Sequence, residues 1–371
     1  MANRISERVS ELQRAASTKS ESGFWEEFKY IQEEDPGTLT RKVGQKPENR
    51  PKNRYKNILP YDHSRVELTE HALPRKLSPA SSADYYDSGS DYINANHVYD
   101  VDEPSSERRH YIAAQGCMQS TMGDFWRMIW QEGCHIVLMI TLETERGKNK
   151  CIRYWPESSE ASMDVDSISG RFSLTLLSDD DLGHYGLRTL QVTFKPKSRT
   201  AYPEPPQPRI VHQFYYKSWQ DHSIPEQPLD VISLKETIDS HWKQFDPPGP
   251  ALVHCSAGIG RTGTYIVIDI LLEQICKYRL DCEIDVQRTV LQCRKQRSGL
   301  VQTESQYKFI YLVVESFVKA QQPKQQQQQQ QQKTASVSSE SQQLPVQQLP
   351  SNNDYVNFPA SQQSKPQIIS G

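Results

Sequence analysis

The stretch ALVHCSAGIGRTG occupies residues 251–263 and decides both the fold and the chemistry predicted for this chain. Residues 251–254 read as a short buried strand, and the apolar run from Gly260 to Tyr278 reads as a helix. Between them, the glycines let the backbone wrap tightly, so that consecutive amide N–H groups point into one cup. The positive N-terminal end of the helix adds to the same field. This strand–loop–helix unit therefore predicts a binding site for a phosphate dianion.

Side chains at both ends of this loop supply its predicted chemistry. Cys255 lies among the amide donors, which favour its thiolate, a nucleophile aimed at phosphorus. Arg261 follows at the far side of the loop, and its planar fork can grip two phosphate oxygens. Thr262 is expected to donate a hydrogen bond to the sulfur. The backbone expected to bind the phosphate comprises Ser256, Ala257, Gly258, Ile259 and Gly260.

A purely structural interpretation of the same stretch makes Cys255 a small buried side chain followed by an unrelated glycine-rich turn. That interpretation leaves the position of Arg261 and the further glycines unexplained. A bare Cys-x5-Arg pattern would be less specific than the full string, because sulfur-transfer enzymes also use such loops.

Composition narrows the remaining classes of protein. The net charge is −3 and no basic stripe occurs, so nucleic-acid binding is not expected. No apolar run reaches the ~18 residues of a membrane span, and the N-terminus lacks the apolar core of a signal peptide. The seven cysteines are scattered without a Cys-x-x-Cys pair. We therefore expect reduced thiols in the cytoplasm, with no metal site and no cofactor.

Changes in composition predict three segments. Residues 1–22 read as an amphipathic helix and linker, because Ile5, Val9, Leu12 and Ala16 recur at helical spacing. Residues 23–320 mix helices and strands and are predicted to form one catalytic domain. Residues 321–371 contain an unbroken glutamine run from 325 to 332 followed by Ser, Pro and Gln, so we expect a disordered tail.

Hydrophobic patterning predicts an α/β domain whose twisted mixed sheet is flanked by helices. The predicted strands cover residues 92–96, 111–114, 136–140, 188–194, 210–216 and 251–254. The predicted helices cover residues 121–133, 231–242, 260–278, 286–295 and 304–318. The first of these is expected to start at Thr121, with Asp124 reaching back as a capping-box acid.

Several blocks taken together give the chain a family resemblance. Residues 254–263 resemble the signature loop of the protein tyrosine phosphatases, residues 53–57 (NRYKN) their phosphotyrosine-recognition loop, and residues 302–307 (QTESQY) their glutamine loop. Further blocks similar to the family lie at residues 91–96, 115–116, 125–126 and 150–156. Residues 23–28 (GFWEEF), with the helix before them, are most similar to the non-receptor phosphatases that carry two Src-homology 2 domains ahead of the catalytic domain.

The resemblance implies a general acid on a mobile loop. In the family this loop reads Trp-Pro-Asp, and here residues 219–225 read WQDHSIP, which makes Asp221 the expected acid. Gln220 and Ser223 depart from the family's Pro and Gly, so we expect an altered balance between open and closed loop positions.

The resemblance also implies roles around the loop. Tyr55 is expected to gauge depth at the rim by stacking on the substrate ring. Gln302 is expected to place water in the second step, and Gln306 to act as its partner, as a capping-box residue, or as both. Glu145 is expected to pair with Arg261, and Lys150 to meet Asp221 when the loop closes.

The implied function is hydrolysis of phosphotyrosine in proteins through phosphocysteine at Cys255, in tyrosine-kinase signalling. Two alternatives stay open. The first is a pseudophosphatase that binds phosphotyrosine without turnover, which the altered residue Gln220 favours. The second is a dual-specificity phosphatase, and the presence of Tyr55 argues against it. In the tail, Tyr355 lies in a Tyr-x-Asn pattern that resembles an adaptor Src-homology 2 ligand once phosphorylated.

Overall fold

The apolar segment Ala251–His254 forms a strand in the interior of a nine-stranded mixed sheet. All four residues are buried, as expected of a strand covered on both faces. It pairs in parallel with His110–Ala114 on one side and with Ile136–Met139 on the other. The loop that follows it therefore emerges at the carboxyl edge of parallel strands, where open α/β sheets place their ligand sites.

The computed structural model describes residues 2–18, 22–34, 37–73, 91–104, 109–159, 161–197, 202, 204–220, 223–246, 248–279 and 282–321. These residues fall within one compact unit, Met1–Gln322. Disorder is expected for residues 321–371, but all of this segment beyond residue 321 lies outside the described residues. Tyr355 is among the residues that are not described. The division of the chain at residues 22 and 320 stays a prediction.

The strands, in chain order, are β1 (Arg65–Glu67), β2 (Tyr92–Tyr99), β3 (His110–Ala114), β4 (Ile136–Met139), β5 (Thr144–Glu145), β6 (Lys148–Asn149), β7 (Ser162–Ser167), β8 (Gly170–Asp181), β9 (Tyr185–Pro196), β10 (Arg209–Tyr216) and β11 (Ala251–His254). The large sheet has the order β1-β2-β3-β11-β4-β10-β9-β8-β7, and β5 pairs with β6 in a separate ribbon. The central strands β3, β11, β4 and β10 run parallel, whereas every flanking pair is antiparallel.

The helices, in chain order, are α1 (Ala2–Thr18), α2 (Gly23–Glu33), α3 (Lys42–Gln45), α4 (Met122–Gln131), α5 (Pro228–Trp242), α6 (Gly260–Tyr278), α7 (Val286–Gln296) and α8 (residues 304–321). Short 3-10 turns cover Pro47–Lys52 and Gln119–Thr121. Among the described residues, no helix combines the length and the hydrophobicity needed to cross a membrane.

Two hydrophobic cores cover the two faces of the sheet. Successive residues of β11 point to opposite faces, so that Val253 joins one core and Leu252 the other. The first core takes in the inward side of α6, for example Ile266, and the second takes in Phe125 of α4. This arrangement confirms the predicted α/β class with its mixed sheet and flanking helices.

The predicted N-terminal helix is present as α1, and Ile5, Val9 and Leu12 bury their side chains in the first core. The capping box predicted for α4 is wrong. The Thr121 hydroxyl instead accepts the backbone N–H of Met118 at 3.2 Å within the preceding 3-10 turn. Asp124 binds the Lys52 ammonium at 2.9 Å, so a long-range ion pair replaces the local cap.

Candidate active site

The loop between β11 and α6 bends back over the side chain of Cys255. The backbone N–H of Gly258 donates a hydrogen bond to Cys255 Sγ at 3.2 Å, and Cys255 is only 3% exposed. Gly258 has a φ of +72°, and a Cβ there would lie 2.1 Å from the carbonyl oxygen of Ala114. Both the backbone conformation and the space therefore require glycine at this position.

Carbonyl groups of the loop are held on its outer side. Arg297, which follows α7, donates from Nε to the Gly258 carbonyl at 2.7 Å and from Nη2 to the Ala257 carbonyl at 3.2 Å. On the other flank, the Ser256 carbonyl accepts the backbone N–H of Gly116 at 2.9 Å. These bonds fix three successive peptide groups of the loop, and the N–H of one of them, that of Gly258, points at Cys255 Sγ.

Arg261 is held by a buried carboxylate. Its Nη1 donates to Glu145 Oε1 at 2.6 Å and to the backbone carbonyl of Trp219 at 2.7 Å. Its Nη2 donates to Glu145 Oε2 and to Thr141 Oγ1, both at 3.3 Å. Arg261 is 1% exposed, so the two-point contact fixes the plane of the guanidinium. The structure forms the pair between Glu145 and Arg261 that the sequence predicts.

The ionisation of Glu145 follows from this pair. Burial alone would raise the pKa of its carboxyl group, but the hydrogen bond and the positive charge of Arg261 outweigh burial and lower it. Bonds from the backbone N–H of Leu142 and from the hydroxyl of Thr141 act in the same direction. Glu145 is therefore an anion at neutral pH and keeps Arg261 oriented.

Tyr55 lies beside the loop, at a half-buried position. Its hydroxyl lies 2.9 Å from Ser256 Oγ, and Ser256 Oγ in turn donates to the Lys150 carbonyl at 3.1 Å. Because the single hydroxyl proton of Ser256 is used on Lys150, the Tyr55 hydroxyl is the donor of the first bond. Arg54 anchors the same segment by donating to the carbonyls of Gly116 and Cys117 at 3.2 and 2.8 Å.

The glutamine pair lies against the start of α6. A Cβ on Gly260 would lie 3.0 Å from Gln302 Oε1 and 3.1 Å from Gln306 Nε2, so glycine permits their close approach. The backbone N–H of Gln302 donates to Gln306 Oε1 at 3.0 Å. Thr303 Oγ1 accepts the N–H of Gln306 at 3.2 Å and caps α8. Gln306 thus holds the backbone of Gln302 through its side chain and joins the helix cap through its own N–H, while its role in the reaction stays a prediction.

Comparison with known proteins assigns this architecture. The family model described as protein-tyrosine phosphatase matches residues 49–316. The chain belongs to the protein-tyrosine phosphatase family. The match includes the signature loop, Arg261, Tyr55 and the glutamine loop, so the site lies wholly within the phosphatase domain.

Curated relatives place this phosphatase domain among non-receptor and receptor types. The chain is 36% identical over 353 residues to the tyrosine-protein phosphatase non-receptor type ptp-2 of Caenorhabditis elegans, covering 81% of this chain and 49% of that protein. It is 30% identical over 450 residues to the tyrosine-protein phosphatase corkscrew of Drosophila melanogaster, covering 80% of this chain and 50% of that protein. The human receptor-type tyrosine-protein phosphatase zeta is 37% identical over 305 residues, covering 80% of this chain and 12% of that protein. The chain thus spans about half the length of the first two relatives.

The loop predicted to carry the general acid begins at Trp219, which is buried and donates from Nε1 to the Ser223 carbonyl at 2.8 Å. Ser223 closes the turn by donating from its N–H and its hydroxyl to the Gln220 carbonyl at 3.1 and 2.7 Å. Asp221 lies outside the described residues, so its role and its contact with Lys150 stay predictions. Ser223 thereby supplies a side-chain bond that a glycine at this position lacks.

A chain of buried polar groups supports the loop from behind. Gln213 Nε2 donates to the Tyr154 hydroxyl at 2.7 Å, and that hydroxyl lies 2.8 Å from His254 Nε2. His254 Nδ1 lies 3.2 Å from the carbonyl of Cys255. Burial lowers the pKa of His254 to about 4, so its imidazole is neutral and orients the loop.

Thr262 does not make the bond predicted for it. Its hydroxyl is buried and forms no hydrogen bond with any described residue, so the donation to Cys255 is absent from this state of the loop.

Sequence reasoning also missed Arg297, because its contacts with Ala257 and Gly258 join segments far apart along the chain and no local pattern marks them. Within the described ranges, no group of three or more His, Cys, Asp or Glu side chains is arranged to hold a metal ion.

Proposed function

We propose that this chain hydrolyses phosphotyrosine in proteins through a phosphocysteine intermediate on Cys255. The observation that carries the proposal is the hydrogen bond from the Gly258 N–H to Cys255 Sγ, in the loop that leads into the start of α6. A thiolate is stabilised by such donors and by the start of α6. It needs no general base, which agrees with the neutral state of His254.

In the first step, the Cys255 thiolate attacks phosphorus and forms a sulfur–phosphorus bond. The bond from phosphorus to the tyrosine oxygen breaks, and Asp221 supplies the proton that this oxygen needs as it leaves. Arg261 and the amides of residues 256–260 stabilise the equatorial oxygens. The clamp by Glu145 supports this role, since it holds the guanidinium plane before substrate arrives.

In the second step, Gln302 places a water molecule against the phosphocysteine. Asp221, now a carboxylate, takes a proton from this water molecule while the water oxygen forms a bond to phosphorus. The sulfur–phosphorus bond breaks at the same time, which releases phosphate and regenerates the thiolate. The position of Gln302 Oε1 beside Gly260, at the entrance to α6, supports this role. Gln306 holds the backbone of Gln302.

The wider assignments follow from the same resemblance. The substrates are phosphotyrosine proteins of tyrosine-kinase signalling, and Tyr55 sets the depth that phosphotyrosine reaches and phosphoserine does not. We place the protein in the cytoplasm, with residues 23–320 as the catalytic domain, residues 1–22 as a linker helix, and phosphorylated Tyr355 as a ligand for an adaptor Src-homology 2 domain.

Phosphate release from paired phosphotyrosine and phosphothreonine peptides tests the proposal. We expect release from the phosphotyrosine peptide, with little from the phosphothreonine peptide. Cys255→Ser should abolish release while leaving phosphopeptide binding intact. Binding without release by the unaltered chain would instead identify the pseudophosphatase, and similar rates on both peptides would identify a dual-specificity enzyme.

A further inference from the structure

The glutamine loop contains a strained residue directly before Gln302. Val301 has a φ of +62°, and this left-handed conformation is unfavourable for a β-branched side chain. Val301 is fully buried, and its N–H donates to the Ile259 carbonyl of the signature loop at 3.0 Å. A Cβ on Gly263 would lie 2.5 Å from that same nitrogen. The strained peptide is thus packed against the base of the phosphate cup.

One guanidinium holds this strained peptide from the other side. Arg294, on α7, donates from Nε to the Leu300 carbonyl at 2.9 Å and from Nη2 to the Val301 carbonyl at 2.8 Å. Its Nη1 donates to the Ile31 carbonyl near the end of α2 at 2.9 Å. The consecutive carbonyls of Leu300 and Val301 therefore both point at the planar guanidinium of Arg294. The left-handed conformation of Val301 allows this arrangement, whereas an extended conformation would turn one of the two carbonyls away.

The surroundings of Arg294 indicate that it orients backbone groups and does not neutralise a negative charge. No carboxylate among the described residues pairs with it, and its hydrogen-bond acceptors are all backbone carbonyls. Its guanidinium also lies 5.6 Å from the ring centre of Phe28. Burial lowers the pKa of Arg294 to about 10, so the group is still charged at neutral pH and its donors keep their full strength.

The far end of α2 is anchored to α8, which carries Gln306. Ser22 Oγ donates to Glu304 Oε1 at 2.7 Å. Glu27 accepts the hydroxyl groups of Tyr307 and Tyr311 at 2.7 and 2.9 Å. The Ile31 carbonyl that receives Arg294 therefore belongs to a fixed element, and Arg294 joins this element to the glutamine loop.

We propose that Arg294 is a positioning residue for the hydrolysis of phosphocysteine, because it holds Val301 in its left-handed conformation and thereby keeps the Gln302 carboxamide beside Gly260. The inference deepens the proposed function and rests on it. Without the guanidinium, Val301 relaxes towards negative φ, and the change turns the direction of the next residue. Gln302 then no longer places water, while Cys255 and Arg261 keep their own supports.

Arg297, which directly follows α7, serves as the matched control for Arg294 on that helix. It binds the carbonyls of Gly258 and Ala257 in the signature loop, whereas Arg294 binds those of the glutamine loop. Loss of Arg297 is therefore expected to impair attack by Cys255. Loss of Arg294 is expected to spare that attack and to slow only the step that uses Gln302.

The experiment measures both chemical steps in the full chain with an aryl phosphate whose phenol product is chromogenic. Stopped-flow mixing gives phosphoenzyme formation as a burst of phenol, and phosphate release gives its hydrolysis. For Arg294→Met we expect formation within about twofold of the unaltered rate and hydrolysis slower by roughly 10- to 100-fold, the range for a misplaced reacting group. Arg294→Lys keeps the charge but not the planar fork, so its rate of phosphoenzyme hydrolysis should lie between those of the unaltered chain and Arg294→Met. Arg297→Met should instead slow phosphoenzyme formation.

A double-mutant cycle separates positioning from general damage. If Arg294 acts through Gln302, Arg294→Met should cause little further loss in a Gln302→Ala background. Parallel loss of both steps in Arg294→Met and Arg294→Lys, an unchanged hydrolysis rate, or full additivity with Gln302→Ala would each overturn the inference. Failure of the proposed function looks different, because the unaltered chain would then form no phosphoenzyme at all.

Discussion

Replacing Glu145 with Gln tests how Arg261, the residue proposed to bind phosphate, is held. The change removes one charge from a buried pair whose closest atoms lie 2.6 Å apart. Breaking a buried ion pair by removal of one partner costs about 3–5 kcal/mol. Gln keeps one acceptor oxygen for Arg261, so we expect the lower end, about 3 kcal/mol. For a domain of about 300 residues, whose entropy of unfolding is about 0.6 kcal/mol/K, that loss corresponds to roughly 5 °C in melting temperature.

Thermal unfolding with and without inorganic phosphate is the assay. Phosphate supplies the negative charge that Glu145→Gln removes, so it should raise the melting temperature of the variant more than that of the unaltered protein. The rate of phosphate release should fall as well, because the guanidinium plane is held at one point instead of two.

The dependence on pH gives a second readout of the same pair. The folded-state pKa of Glu145 is lowered, so the unfolded chain takes up this proton first as pH falls. The stabilisation is thus complete above the unfolded value of about 4.3 and is lost as pH falls through the folded value. The Glu145→Gln variant should lack this part of the acid destabilisation.

Glu143→Gln is the matched control, two positions away on the surface. Glu143 pairs with Arg153 at 3.0 Å, and both side chains are well exposed, so its loss should change stability by no more than about 0.5 kcal/mol. Equal stability, equal response to phosphate and equal turnover in the Glu145→Gln and Glu143→Gln variants would refute the reasoning.

Two further predictions concern the signature loop and the histidine behind it. Gly258→Ala should abolish phosphate release and lower the melting temperature, because its Cβ would collide with the Ala114 carbonyl. Gly147→Ala, with a similar φ of +71° but open space around it, should cost only about 1–2 kcal/mol. Equal losses in the two variants would contradict the steric argument. Burial holds the pKa of His254 at about 4, so the unfolded chain gains this proton first and stability falls as pH drops from about 6.5 to 4. His254→Gln should make that slope shallower by up to about 1.4 kcal/mol per pH unit, as measured by urea unfolding. An unchanged slope would show that the pKa of His254 is the same in the folded and the unfolded chain.

The sequence predicted those parts of the site that are local in the chain. The string from 254 to 263 contains strand end, loop and helix start, so the turn of Gly258 over Cys255 follows from composition and order. The buried strands β4 and β11 were predictable because each is a continuous apolar run. The pair of Glu145 with Arg261 required the family resemblance, since its members are distant in sequence.

Other features escaped prediction for physical reasons. The hairpin β7–β8 was missed, although Phe172, Leu174 and Leu176 alternate inward in the pattern expected of a strand. The contacts of Arg294 with the glutamine loop and of Arg297 with the signature loop are made to backbone carbonyl groups, which every residue has, so no side-chain pattern reveals them. The capping box at Thr121 does not form because its two side chains bind elsewhere: the Thr121 hydroxyl accepts the N–H of Met118, and Asp124 binds the side chains of Lys52 and Arg127.

Trapping the covalent intermediate tests the central claim most directly. The Gln302→Ala variant, mixed with a phosphotyrosine peptide and quenched in acid within the first turnover, is digested and analysed by mass spectrometry. We expect a phosphoryl group on the peptide that contains Cys255, and no phosphoryl group in the Cys255→Ser variant treated in the same way. Phosphate release with no phosphoryl group on Cys255 at any quench time would contradict it.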